Sequence, residues 1–118
     1  MNIFATFKNP EKCAIVLDDK RVVKMIVESC QILSTSLHLK KVEGVTPPYK
    51  PTHTNHPCVC WVGYSDENFK WLLEHLKFLI YEYKNRYNDK THSCESLIPF
   101  FEEVYTNKIK LKNYNGVL

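Results

Sequence analysis

Two stretches of the chain place apolar residues at helical spacing. From Asp19 to Leu39 the stripe is Val22, Val23, Ile26, Cys30, Leu33 and Leu37, with Arg21, Lys24, Glu28 and Gln31 on the opposite side. From Ser65 to Tyr87 it is Phe69, Leu72, Leu73, Leu76, Leu79, Ile80 and Tyr83, with Asn68, Trp71, His75, Glu82 and Arg86 opposite. Ser65 is a good N-cap, and Asp66 and Glu67 suit the positive end of a helix. Asn9-Pro10-Glu11 predicts a short helix running to about Leu17, capped by Asn9 with proline in its first turn. A further helix is expected from Glu95 to Tyr105, with Pro99 disturbing its start. The only strand-like segment is Ile3 to Phe7. Turn-forming residues gather at Glu43 to Pro57, which holds four of the six prolines, and at Asn88 to Ser96. The pattern predicts an all-α fold: a compact single-domain helical bundle, residues 1–118, with a long proline-rich loop.

Length and composition agree with that picture. One domain is expected from 118 residues, with 44% apolar and 25% charged residues. No apolar run approaches the roughly 20 residues of a membrane helix, and the start lacks the features of a signal peptide. A soluble intracellular protein is expected. The formal charge of +3 is mildly basic. Lys20, Arg21 and Lys24 cluster near one end and Lys108, Lys110 and Lys112 near the other, a distribution that suits either a solvated surface or nucleic acid. Three glycines are too few for a glycine-rich phosphate loop. Five cysteines with no secretion signal suggest reduced thiols, with Cys13 and Cys30 in the core.

The segment Tyr49 to Trp61 carries the densest polar chemistry. Lys50, Thr52, His53, Thr54, Asn55 and His56 are set among prolines that limit backbone freedom. Three readings stay open. His53, His56, Cys58 and Cys60 are competent zinc ligands, although their spacing matches no standard zinc pattern. The same residue types suit phosphate contact or catalysis. In the third reading they cap helix ends while Trp61 anchors the loop in the core. No one cysteine is marked as an activated nucleophile. On the first long helix, Glu28 shares a face with Arg21 and Lys24. It is either an exposed ion-paired glutamate or a carboxylate poised for acid-base or electrostatic work.

Four segments carry a resemblance: Met1 to Phe4, Asp19 to Glu28, Tyr49 to Cys58 and Trp71 to His75. Together they resemble short phage-encoded proteins related to the pyrimidine-dimer DNA glycosylase and abasic-site lyase family of the endonuclease V type. The helix 79–86 is similar to a corresponding helix of that family. The resemblance implies a compact helical domain, no cofactor, no metal, and duplex DNA as partner. It implies a monomer without membrane contact in the cytoplasm of an infected host cell. It places Glu28 at the catalytic glutamate and the nucleophilic α-amine at Met1 or Asn2. Arg21, Lys24, Lys50, Thr52, His53, Asn55, His56, Trp71 and His75 become candidate nucleic-acid contacts, with Trp61, Trp71 or Tyr49 available to stack on a base. His53 and His56 are expected to share a pocket with Glu28 or His75. The sequence departs from the family at four places, with Arg21 for a histidine, Val27 and Gln31 for arginines, and Asn2 for a threonine. The alternative class is a non-catalytic module that binds nucleic acid or a host protein.

Overall fold

A computed structural model describes Ile3 and residues 8–109. Met1, Asn2, Lys110, Lys112 and all but the first residue of the strand-like segment 3–7 lie outside the described residues. The described residues are mostly helical, as the apolar periodicity predicts, and contain no strand. Helix α1 spans Pro10–Ile15, α2 Asp19–Lys40, α3 Pro57–Tyr64, α4 Asp66–Arg86 and α5 Ile98–Val104. A 3-10 segment, Ser93–Leu97, precedes α5, and a π turn, Tyr105–Ile109, follows it.

Short polar side chains start the helices by accepting from otherwise unpaired backbone N–H groups. Asn9 accepts from Glu11 and Lys12 at 2.8 and 3.2 Å. Asp18 accepts from Arg21 at 2.8 Å, and Ser65 from Asn68 at 3.1 Å. α2 ends on Lys41 in the left-handed region, at φ 51°.

The two long helices pack on each other through the stripes read from the sequence. Val22, Ile26, Cys30, Leu33 and Leu37 are buried, as is every residue of the α4 stripe. Val23 is only partly buried. Phe101 and Val104 of α5 extend the same core, and Cys13, Cys30 and Cys94 are buried within the protein. The second half of α2 is covered on further sides too, since Ser34, Thr35 and Ser36 are also buried.

Two elements differ from expectation. The polar segment Tyr49 to Trp61 is not loop throughout, because 57–64 forms α3. His56 caps it, Nδ1 accepting from Cys58 N–H at 3.1 Å, and Pro57 occupies the first turn, where its missing N–H costs nothing. Val59 and Val62, three apart, face the core. The helix expected from Glu95 to Tyr105 is divided. Pro99 cannot donate to the carbonyl four residues back, and its ring crowds that carbonyl. The preceding turn tightens to 3-10 geometry, and the α-helix begins only at Ile98.

Candidate nucleic-acid interface

On the outer side of α2, Arg21, Lys24, Glu28, Gln31 and Thr35 follow one another at spacings of three and four. Arg21 is exposed and binds Asp18 Oδ2 at 2.8 Å, which ties it to the helix start. Lys24 lies one turn before Glu28, with Nζ 3.9 Å from Oε2. The pair is unequal: the Lys24 side chain is 75% exposed and that of Glu28 only 13%. Glu28 is therefore not the exposed surface glutamate that one reading of the sequence allows. Low exposure strengthens any charge-charge contact it makes with a ligand.

Two turns beyond Glu28, about 10 Å along the axis, buried Thr35 offers Oγ1 to the N–H of Thr52 at 3.1 Å. This contact docks the polar loop on the same stripe of α2. The loop is pinned again where His38 Nε2–H donates to Tyr49 O at 2.9 Å, and where Tyr49 Oη meets Cys94 Sγ at 3.4 Å. That last contact, together with burial, pushes the Tyr49 hydroxyl well above its ordinary range. Burial first, then Cys94, does the same to the Cys30 thiol.

Between these anchors and α3 the chain makes a tight turn, with His56 N–H donating to His53 O at 2.9 Å. His53 takes φ 51°, a left-handed conformation uncommon for a residue with a side chain. Lys50, His53, Thr54 and Asn55 are exposed, and Thr52 and His56 half-buried. Thr52 Oγ1 holds His53 Nδ1 at 2.8 Å, and the two histidine rings stand edge to face with centroids 6.4 Å apart. His56 Nδ1 accepts the cap hydrogen bond, so the ring proton of this tautomer sits on Nε2. Among the described residues, no three His, Cys, Asp or Glu side chains converge as a metal site would require.

Two of the candidate contacts, His75 and Trp71, bind backbone carbonyls of the opening segment. His75 is buried at 2% exposure, with Nδ1–H donating to Pro10 O at 3.0 Å. Its place on the polar side of α4 is covered by α1, so it does not reach the surface. Burial lowers its pKa, partly opposed by the Pro10 hydrogen bond. Trp71, half-buried, stacks on His75 at 5.1 Å and donates Nε1–H to Lys8 O at 2.7 Å. Trp61, which one of the three readings of the loop puts in the core, is 41% exposed on α3. Its neighbour one turn on, Tyr64, is 86% exposed. The i, i+3 spacing of these two aromatics was the available signal, but it has meaning only once 57–64 is known to be helical.

Residues 1–95 match the family model described as pyrimidine dimer DNA glycosylase. The chain belongs to the pyrimidine dimer DNA glycosylase family. The match takes in α1 to α4, and with them Glu28 and the docked loop, and stops before α5. No curated protein and no solved structure matches the chain. No helix among the described residues is long and apolar enough to cross a membrane.

Proposed function

We propose that this protein is a DNA N-glycosylase with abasic-site lyase activity, acting on damaged or modified pyrimidines in duplex DNA. The observation that carries the reading is the largely covered Glu28 carboxylate, held beside Lys24 on α2 of a chain that belongs to this family. The nucleophile is the α-amine of Met1 or Asn2. With an ordinary pKa of about 8, a useful fraction of such an amine is neutral at physiological pH. It attacks the sugar C1′ and the base departs with the bonding electrons. The C1′–O4′ bond then breaks, O4′ keeping the electrons and taking one of the two amine protons as a hydroxyl, and a protonated imine to C1′ remains. Glu28 stabilises the positive charge that develops at the sugar and the imine nitrogen. Arg21, Lys24 and Lys50 neutralise backbone phosphates, and the turn containing Thr52, His53, Asn55 and His56 positions the strand. Exposing the sugar means distorting the duplex, which costs least at a damaged pair. The proposed setting is a phage-infected cell, with the protein working as a monomer and without a cofactor.

A second reading rests on Val27 and Gln31, which stand where the family carries arginines. Val27 packs partly against the core and offers no charge. With fewer cations around the carboxylate, the same face serves a non-catalytic DNA-binding module. Duplexes containing a pyrimidine dimer, an abasic site or a modified base separate the two. Base release and strand nicking should fall by about a hundredfold or more in Glu28→Gln, with duplex affinity nearly unchanged. Binding without cleavage of any of these duplexes would establish the module instead.

A further inference from the structure

Cys30 and Cys94 take no part in the chemistry above, yet they meet in the core. Cys30 projects from the buried stripe of α2, and Cys94 from the 3-10 segment 93–97 packed against that helix. Both are free thiols. They hydrogen-bond to each other, and the Tyr49 hydroxyl closes on Cys94 Sγ at 3.4 Å. The other cysteines are placed differently. Cys13 belongs to α1, whose main partner is α4. Cys58 and Cys60 are two apart on α3, so their side chains leave that helix in different directions.

The two sulfurs differ in how they can be reached. Cys30 lies in the middle of a helix of 22 residues. Burial, and Cys94 beside it, keep its thiol protonated. Cys94 lies on a segment of only five residues, with Ser93 and Ser96 exposed around it. The start of that segment is held by His92, whose Nδ1 accepts from Cys94 N–H at 3.0 Å. It follows a turn in which Asn88 and Asp89 both take the left-handed conformation, at φ 55° and 62°. A short 3-10 segment has few internal bonds to break, so it opens more readily than the long helix beneath it.

We propose that Cys30 and Cys94 are a redox pair, which closes to a disulfide by exchange with a small-molecule disulfide admitted when the segment 93–97 opens. Cys94, as its thiolate, attacks one sulfur of the small disulfide. That S–S bond breaks and a first small thiolate leaves. Cys30 then attacks Cys94 Sγ in the mixed disulfide, and a second small thiolate leaves. The protein gives up two electrons and two thiol protons, and the small disulfide ends as two thiols. The new bond joins positions far apart in the chain, which removes disorder from the unfolded state. A disulfide sulfur carries no proton, so the Tyr49 contact persists with the hydroxyl as donor and the loop keeps its anchor. The protein thereby gains a stability that depends on redox state, whatever its activity on DNA.

The test equilibrates the purified protein with mixtures of oxidised and reduced dithiothreitol. It starts both from folded, reduced protein and from unfolded protein refolded in the same mixture. The products are unfolded with excess alkylating reagent and read by intact mass and peptide mapping. With the oxidised reagent in large excess, both routes should link Cys30 to Cys94 and leave Cys13, Cys58 and Cys60 alkylated. The Tm should rise by about 5 °C or more, and excess reduced reagent should bring it back. Cys94→Ala should remove both the link and the redox dependence of the Tm. Should that variant fail to fold, Cys30→Ala serves instead, and the peptide map of the wild-type protein decides without either. Alkylation of both Cys30 and Cys94 by either route, a link from Cys94 to another cysteine, or a mixed disulfide that persists at Cys94 would overturn the pair.

Discussion

The seam between α1 and α4 and the loop docked on α2 are built from the same residue types, yet they leave them in opposite states. At the seam, polar atoms of α4 side chains meet backbone carbonyls of the opening segment. Trp71 reaches Lys8 O, His75 reaches Pro10 O, and Arg86 reaches Ile15 O and Leu17 O at 3.0 and 2.7 Å. Arg86 also pairs with Glu82 and Asp19. These contacts satisfy the end of a helix only six residues long, which has few internal hydrogen bonds of its own. On the loop, backbone contacts at Tyr49 and Thr52 do the anchoring. The side chains of Lys50, His53, Thr54 and Asn55 stay at the surface. A histidine or tryptophan on a polar helix face therefore says little by itself. What decides its role is whether a carbonyl without a partner lies within reach.

Both regions depend on the core between α2 and α4, and the largest effect is expected there. Ile26→Asp or Leu76→Asp places an unpaired charge at a fully buried site and should unfold the protein, read as loss of the cooperative melting transition. Next comes the seam. Arg86→Met removes hydrogen bonds to two carbonyls and strands Glu82, whose side chain is 15% exposed. It should cost about 2–4 kcal/mol and lower the Tm by about 10 °C or more, while the salt dependence of DNA binding stays as in wild type. A weakened salt dependence in this variant would mean that the seam takes part in binding and would break the contrast.

Acid probes the same seam more gently. His75 is held neutral, with its pKa below the ordinary 6.5 because burial penalises the charged ring. The unfolded chain therefore binds a proton that the folded one refuses. The stability from a neutral His75 is complete above about pH 6.5 and is lost as the pH falls toward the lowered folded value. His92, also lowered by burial, acts in the same direction. Thermal melts from pH 7.5 downward should show Tm falling below about pH 6.5, and His75→Gln should flatten part of that fall. The smallest stability effects belong to the loop and the α2 stripe. Lys24→Ala and Lys50→Ala should change stability by no more than about 0.5 kcal/mol. Each should still reduce the slope of log affinity against log salt by about one, the signature of a lost phosphate contact.

The two long helices were legible in the sequence because each presents an unbroken stripe over some twenty residues, with a cap at its start. α3 was not. Its buried face is only Val59 and Val62, and its opening residues, His56 and Pro57, read equally well as the end of a loop. The π turn at Tyr105 left no periodic signal at all. Within the site, the placement of Glu28 with Lys24 followed from spacing, but its low exposure did not, because that is set by what lies over α2. The misreading of His75 has the same origin: α4 shows a polar face in sequence, and only the fold reveals α1 lying across it. The chemistry at Met1 and Asn2 lies outside the described residues and is open to direct trial.

That trial is covalent trapping. The protein is incubated with abasic, dimer-containing and modified-base duplexes in the presence of borohydride, which reduces an imine to a stable amine. The account predicts a protein–DNA adduct whose mass maps to the first two residues, and its loss or severe reduction in Glu28→Gln protein that still binds the duplex. No adduct on any of these duplexes, or an adduct carried by a lysine side chain and indifferent to Glu28, would contradict it.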